Sequence, residues 1–218
     1  MENPRSTRMP KQESPRSTRV PKHVGFLALP LVLLTALATA TQPSAPSLLL
    51  YGFEPFGDFD VNPSAGLVER LASGQASRRA AVLPVSPPDA LGALFHLMAD
   101  EPDFIIGFGV RSDVEVVEVN VEAINWLSMR TAGEPPFFGT IELGLPSSLV
   151  LQSAWLEHVR GVVDGLGESV RINIDSGMHA CNLTFFHALL HASPSARVLF
   201  IHVPPDVHTR PDLLQHIE

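Results

Sequence analysis

The stretch DSGMHACNLTFFHALLH, Asp175 to His191, holds the only cysteine of the 218-residue chain. A lone thiol has no intramolecular disulfide partner, so Cys181 is either a packed small hydrophobe or a reactive group. Its position bears on the choice. Cys181 follows the turn DSGMHA and opens a segment whose apolar residues, Leu183, Phe186, Leu189 and Leu190, have helical spacing. A thiol in the first turn of a helix faces unpaired backbone N–H groups and the positive end of the dipole, which lower its pKa and favour thiolate. Such a thiolate needs a proton partner. His202 stands in FIHVPP, at the tip of an otherwise apolar strand that Pro204 and Pro205 turn out of the sheet. Thiolate and imidazole together carry out acyl transfer: the sulfur attacks a carbonyl carbon, and the histidine protonates the leaving group and then activates water. His96, His158, His187, His191, His208 and His216 lie on expected helices or in the tail and read as surface groups.

These side chains need a scaffold that brings residues 181 and 202 together. Ser47 to Phe53 is a continuous apolar run ended by glycine and reads as a buried strand. Pro63 to Leu71 has helical spacing with proline in its first turn. A strand over Ala80 to Ser86, a helix over Pro88 to Asp100 and a strand over Asp103 to Val110 follow. Asp113 to Trp126 alternates Val with Glu or Asn, the period of one half-exposed strand, and Thr131 to Pro146 reads as a loop. An amphipathic helix is expected over Ser147 to Leu166, with strands over Val170 to Ile174 and Arg197 to Pro204 on either side of the helix after Cys181. Strands alternating with helices imply a single α/β domain, a mainly parallel twisted sheet with helices on both faces. Ligands of such sheets sit at the carboxyl ends of the strands, which points to the loops after Phe53, before Cys181 and after His202.

Residues 1–23 form a basic arm with a short repeat, PRSTRMPK and PRSTRVPK, and a net charge of +4. The whole chain carries −8, which leaves −12 for the remainder. A body this acidic repels phosphate backbones, so no nucleic-acid partner is expected. Residues 24–40, VGFLALPLVLLTALATA, are apolar or small and end in Ala38-Thr39-Ala40, the order of a secretory signal. The run is shorter than the roughly 20 residues that span a bilayer and contains Pro30, which argues for cleavage near Ala40 and export, with a membrane anchor as the alternative. A linker over 41–46 then leads into a domain over 47–218. No cofactor and no metal are expected, and the sequence leaves the oligomeric state open.

Three stretches resemble the pyroglutamyl peptidase I family of cysteine peptidases. Gly52, Phe53, Pro55, Phe56 and Gly57, followed by Asn62, Pro63 and Ser64, match its opening signature. Ser176, Gly177, Cys181 and Asn182 match its nucleophile signature, and Phe200, Ile201, His202 and Pro204 its base signature. The resemblance implies removal of N-terminal pyroglutamate (5-oxoproline) from peptides, with Cys181 as nucleophile and His202 as base. It also implies that Phe53 and Phe56 enclose the oxoproline ring, where core packing is the plainer alternative. The family has a catalytic Glu three residues before an Ala-x-Asn that Ala123, Ile124 and Asn125 match, and this puts Asn120 where the Glu is expected. Glu118 and Glu122 stand close by as alternative orienting acids. A member that binds oxoproline-like ligands without turning them over is the second reading.

Overall fold

The computed structural model describes residues 45–57, 60–130 and 136–217. The basic arm and the apolar run 24–40 lie outside the described residues. The chain forms one α/β domain around a six-stranded sheet of order β2-β1-β3-β10-β4-β9. Strands β1 (Leu48–Phe53), β2 (Arg78–Leu83), β3 (Phe104–Val110) and β10 (Arg197–Val203) are mutually parallel. Strand β4 (Val117–Asn120) pairs antiparallel with β10, and β9 (Val170–Asn173) runs parallel to β4. The sheet is therefore mixed, with its reversed pair at one edge.

Glycine decides how closely helices approach. Helix α1 (Pro63–Ala72) starts on Asn62, whose side chain accepts the Ser64 N–H at 3.1 Å, with Pro63 in the first turn where its missing N–H costs nothing. A Cβ on Gly52 would stand 2.6 Å from the Ser64 carbonyl oxygen, so only glycine lets this strand and helix meet. Residues alternate faces along a strand, so Phe53 and Gly52 point opposite ways. The face of Phe53 and Phe200 is covered by α4 (Ala180–His191), whose Phe185 ring lies 5.7 Å from that of Phe200. Helix α2 (Pro87–Met98) packs beside α4. The opposite face carries α1 and α3 (Ser153–Gly165), where Trp155 meets Phe104 at 6.3 Å and donates to Val198 O at 2.9 Å. A last helix, α5 (Pro211–Ile217), buries Leu213 and Leu214. Among the described residues no helix is long and apolar enough to cross a membrane.

Three expectations are corrected. The stretch 113–126 is not one half-exposed strand: β4 is fully buried, and the chain breaks at Val121 before β5 (Glu122–Ile124). Val121 N donates to Asn173 O and Val121 O accepts from Leu151 N, and this change of partner directs β5 out of the main sheet. There it pairs with β8 (Ser148–Val150), so the expected helix from Ser147 is a strand first and helical only from Ser153. Within the expected loop Thr131–Pro146, β7 (Phe137–Gly139) forms a hairpin with β6 (Leu127–Met129); residues 131–135 lie outside the described residues.

Candidate active site

Strand β3 ends in GFGV, and its alternation turns Gly107 and Gly109 toward α4. His202 is in register with Gly109 and Phe200 with Gly107. A Cβ on Gly109 would lie 2.7 Å from Cys181 Sγ, 3.1 Å from His202 Cδ2 and 3.2 Å from Phe200 Cε1. The separation of thiol and imidazole is thus no more than the sum of the first two distances. The missing side chain at 109 is what lets the first turn of α4 bring its sulfur against the histidine. A Cβ on Gly107 would meet Phe200 Cδ2 at 2.6 Å, so the same strand also makes room for the aromatic floor. Phe200 lies 5.1 Å from the His202 ring edge-on, and contacts Tyr51 and Phe53 at 6.1 and 6.4 Å.

The turn before Cys181 is tied down on both sides. Gly177 has φ +78, a left-handed conformation that favours glycine, and its N–H donates to Asp175 Oδ1 at 2.9 Å. Asn182, the residue after Cys181, is fully buried. Its Oδ1 accepts from Ile124 N at 2.8 Å and Ser176 Oγ at 2.7 Å, while Nδ2 donates to Ile124 O and Trp126 O. It therefore anchors the start of α4 to β5. The motif match singled out Asn182 without a role, and Gly109 was missed; the even spacing of its two glycines was the available signal.

Asn120 is the residue that meets His202. Its Nδ2 lies 2.9 Å from Nδ1, and its Oδ1 is buried without a hydrogen-bond partner. The carbonyls of Glu118 and Phe200 stand at 3.4 and 3.5 Å from the same Nδ2, which favours nitrogen over oxygen at that position. An amide N–H donated to Nδ1 leaves the ring proton on Nε2. Glu118 is the direct cross-strand partner of His202, yet its carboxylate turns to Arg171, to Arg111 Nη1 at 3.3 Å and to Asn173 Nδ2 at 2.7 Å. Glu122 lies beyond the break, on β5.

Burial governs both ionisations. It holds the His202 imidazole down at about 4, assisted by the Arg111 cation and opposed by Asp175 and Asp113. Cys181 is partly exposed as a residue, but burial of the thiol pushes it up to about 12 against its own backbone hydrogen bond. The thiolate expected from the helix start is thus outweighed by desolvation, and the resting pair is thiol and neutral imidazole. Phe53 is core, 1% exposed, while Phe56 lies on the loop after β1. His187 is buried rather than on the surface, its ring stacked on His191 at 5.5 Å and met edge-on by Phe95 at 5.6 Å. The helix is enclosed by α2 on that side. His96, His158, His191 and His208 are exposed and His216 partly so.

A cavity of about 490 Å³ lies between α2, α4 and the β6–β7 hairpin, lined by Leu91, Phe137, Leu183 and His187 among others, and neither Cys181 nor His202 lines it. Among the described residues no cluster of three or more His, Cys, Asp or Glu could hold a metal ion.

The pyroglutamyl peptidase family profile matches residues 46–209. The chain is 30% identical over 168 residues to a pyrrolidone-carboxylate peptidase of Pseudomonas fluorescens, covering 72% of this chain and 78% of that protein. One from Deinococcus radiodurans is 29% identical over 179 residues, covering 73% and 78%. Among solved structures, pyrrolidone carboxyl peptidase from Thermus thermophilus superposes with TM-score 0.63 at 27% identity, covering 78% of this chain and 95% of that one. Pyroglutamyl peptidase I of Bacillus amyloliquefaciens gives 0.64 at 27% identity, covering 79% and 91%. With the thiol, the histidine and the strand that joins them all inside the matched span, this chain belongs to the pyroglutamyl peptidase family.

Proposed function

We propose that the chain is a cysteine exopeptidase that removes N-terminal pyroglutamate from peptides, with Cys181 as nucleophile and His202 as acid and base. The observation that carries this reading is the shared approach of Sγ and the imidazole to the empty side of Gly109. The names of the relatives supply the substrate class. Sγ attacks the carbonyl carbon of the pyroglutamyl bond, its proton passing to Nε2. The C–N bond breaks as Nε2–H protonates the leaving amine, and water deprotonated by Nε2 then hydrolyses the thioester. Nε2 must be free to accept the first proton. The Asn120 amide therefore turns over about its last torsion in the reactive state, so that Oδ1, otherwise unpartnered, accepts Nδ1–H. Phe56, on the loop that follows the buried Phe53, closes on the oxoproline ring.

The neutral resting pair and the Asn120 donor also favour a second reading, a member that binds oxoproline-like ligands without turnover. A chromogenic pyroglutamyl amide separates the two. Hydrolysis by the parent and its loss in Cys181→Ser supports the peptidase; an inert parent whose melting temperature still rises with oxoproline supports binding alone.

A further inference from the structure

Arg111 is the first residue after β3, and it gathers groups from three segments around the dyad. Its backbone N–H continues the β3–β10 ladder on Val203 O at 3.0 Å, next to His202. Its guanidinium donates through Nε to Asp113 Oδ1 at 3.0 Å and through Nη1 to Glu118 Oε2 at 3.3 Å and Asp175 O at 2.9 Å. Nη2 reaches Asp175 Oδ2 at 3.4 Å. Glu118 lies across the strand from His202, and Asp175 holds the Gly177 turn that leads to Cys181. One planar fork therefore joins the strand beside the base to the turn before the nucleophile, a geometry lysine cannot reproduce.

We propose that Arg111 is a positioning residue, which clamps the turn before Cys181 onto the strands that carry His202 and whose charge sets the pH at which the pair works. This deepens the peptidase reading and rests on it for the effect on rate. The charges that act on the imidazole are Arg111 and Asp113 from the β3–β4 loop and Asp175 from the turn after β9; Glu118 of β4 stands across the strand, held by Arg171 of β9, and Cys181 approaches from α4. Arg111 disfavours imidazolium, while Asp175 and Asp113 favour it. The two sides of the clamp thus act on His202 with opposite sign.

The test uses the ring protonation of His202, followed by ¹⁵N-histidine NMR and assigned by its loss in His202→Gln, beside hydrolysis of the pyroglutamyl amide and alkylation of Cys181 by iodoacetamide. In Arg111→Gln the half-protonation pH of His202 rises by about half a pH unit, the scale of a partly screened charge, and in Asp175→Asn it falls. Arg111→Lys retains the parent titration but loses about tenfold in kcat, because the charge stays and the fork does not. Titrations that coincide in all variants, or shifts of one sign in Arg111→Gln and Asp175→Asn, overturn the proposal. Should Arg111→Gln fail to fold, Asp175→Asn decides alone, since an amide at 175 keeps the acceptor for Gly177: a downward shift supports the proposal and no shift overturns it. An inert parent removes the peptidase reading; the titrations then decide the charge, and a parent-like alkylation rate in Arg111→Lys overturns the clamp.

Discussion

Replacing Asn120 by aspartate keeps the side-chain volume and changes only what faces Nδ1 of His202. The amide stands 2.9 Å from that nitrogen and is fully buried, so the new carboxylate has nowhere else to go. It accepts Nδ1–H, which leaves Nε2 free as a base, and it also attracts the imidazolium. A charge pair about 4 Å apart contributes about 4 kcal/mol at an effective dielectric of about 20. Against this stands about 1–3 kcal/mol for a buried acceptor met by too few donors. The remainder, about 1–3 kcal/mol, raises the imidazole by about one to two pH units from about 4, since about 1.4 kcal/mol corresponds to one unit. The imidazolium in turn favours the thiolate. Because Cys181 is the only cysteine, the rate of alkylation by iodoacetamide reads the thiolate alone. Asn120→Asp is expected to alkylate at least about tenfold faster than the parent at pH 7 and to hydrolyse the pyroglutamyl amide faster. Equal or slower alkylation in a variant that melts like the parent would refute both the tautomer assignment and the electrostatic reasoning.

Gly109→Ala puts a methyl group 2.7 Å from Sγ, so it should lose about 100-fold or more in kcat and about 1–3 kcal/mol of stability, measured by steady-state kinetics and urea unfolding. The His202 imidazole is held near 4 in the fold and near 6.5 when unfolded, so the unfolded chain binds the extra proton. That contribution is complete above about pH 6.5 and is lost as the pH falls toward 4, about 3 kcal/mol in all; urea melts at the two ends should show it, and His202→Gln should not. Truncating Asn182 to alanine removes three hydrogen bonds between α4 and the β5 region and one to Ser176 in the preceding turn, and should lower the melting temperature together with kcat, whereas an effect on KM alone would speak against an anchoring role. Export through residues 24–40 predicts that N-terminal sequencing of the protein from expressing cells begins near Thr41; an intact arm on the isolated protein would exclude it.

Residue chemistry was legible in the sequence wherever it is local. The run LLLYGF reads as a buried strand because both its faces are covered. The glycine at the end of the strand and the Asn-Pro-Ser after it gave the start of α1. What could not be read was direction. Nothing in VEVN or VRIN says that these strands run against the other four, because side-chain alternation is the same either way. For the same reason the reach of Asn120 to His202 rested on a motif match and not on geometry. Ser148–Val150 is apolar enough for the first turn of a helix, and only the partner strand β5, remote in sequence, decides otherwise. The helix terminus that argues for a thiolate at Cys181 is a local feature, whereas the desolvation that opposes it depends on everything packed around the thiol. The burial of His187 is equally non-local, since the enclosure comes from α2 and not from its own helix.

The antiparallel seam between β10 and β4 aligns Asn120 with Phe200 and Glu118 with His202. Slipping β4 by two residues keeps every side chain on its own face, because the strand period is two. One direction of slip would bring Glu118 opposite Phe200, and the other would bring Glu122 there. Either way the amide beside the imidazole is exchanged for a carboxylate while all residue identities stay the same. The length of the segment between Arg111 and Val117 is thus itself a determinant of the chemistry. Where two residues gained or lost there carry the β10 pairing with them, one kind of histidine partner replaces the other, a change that a comparison of site residues alone would not detect.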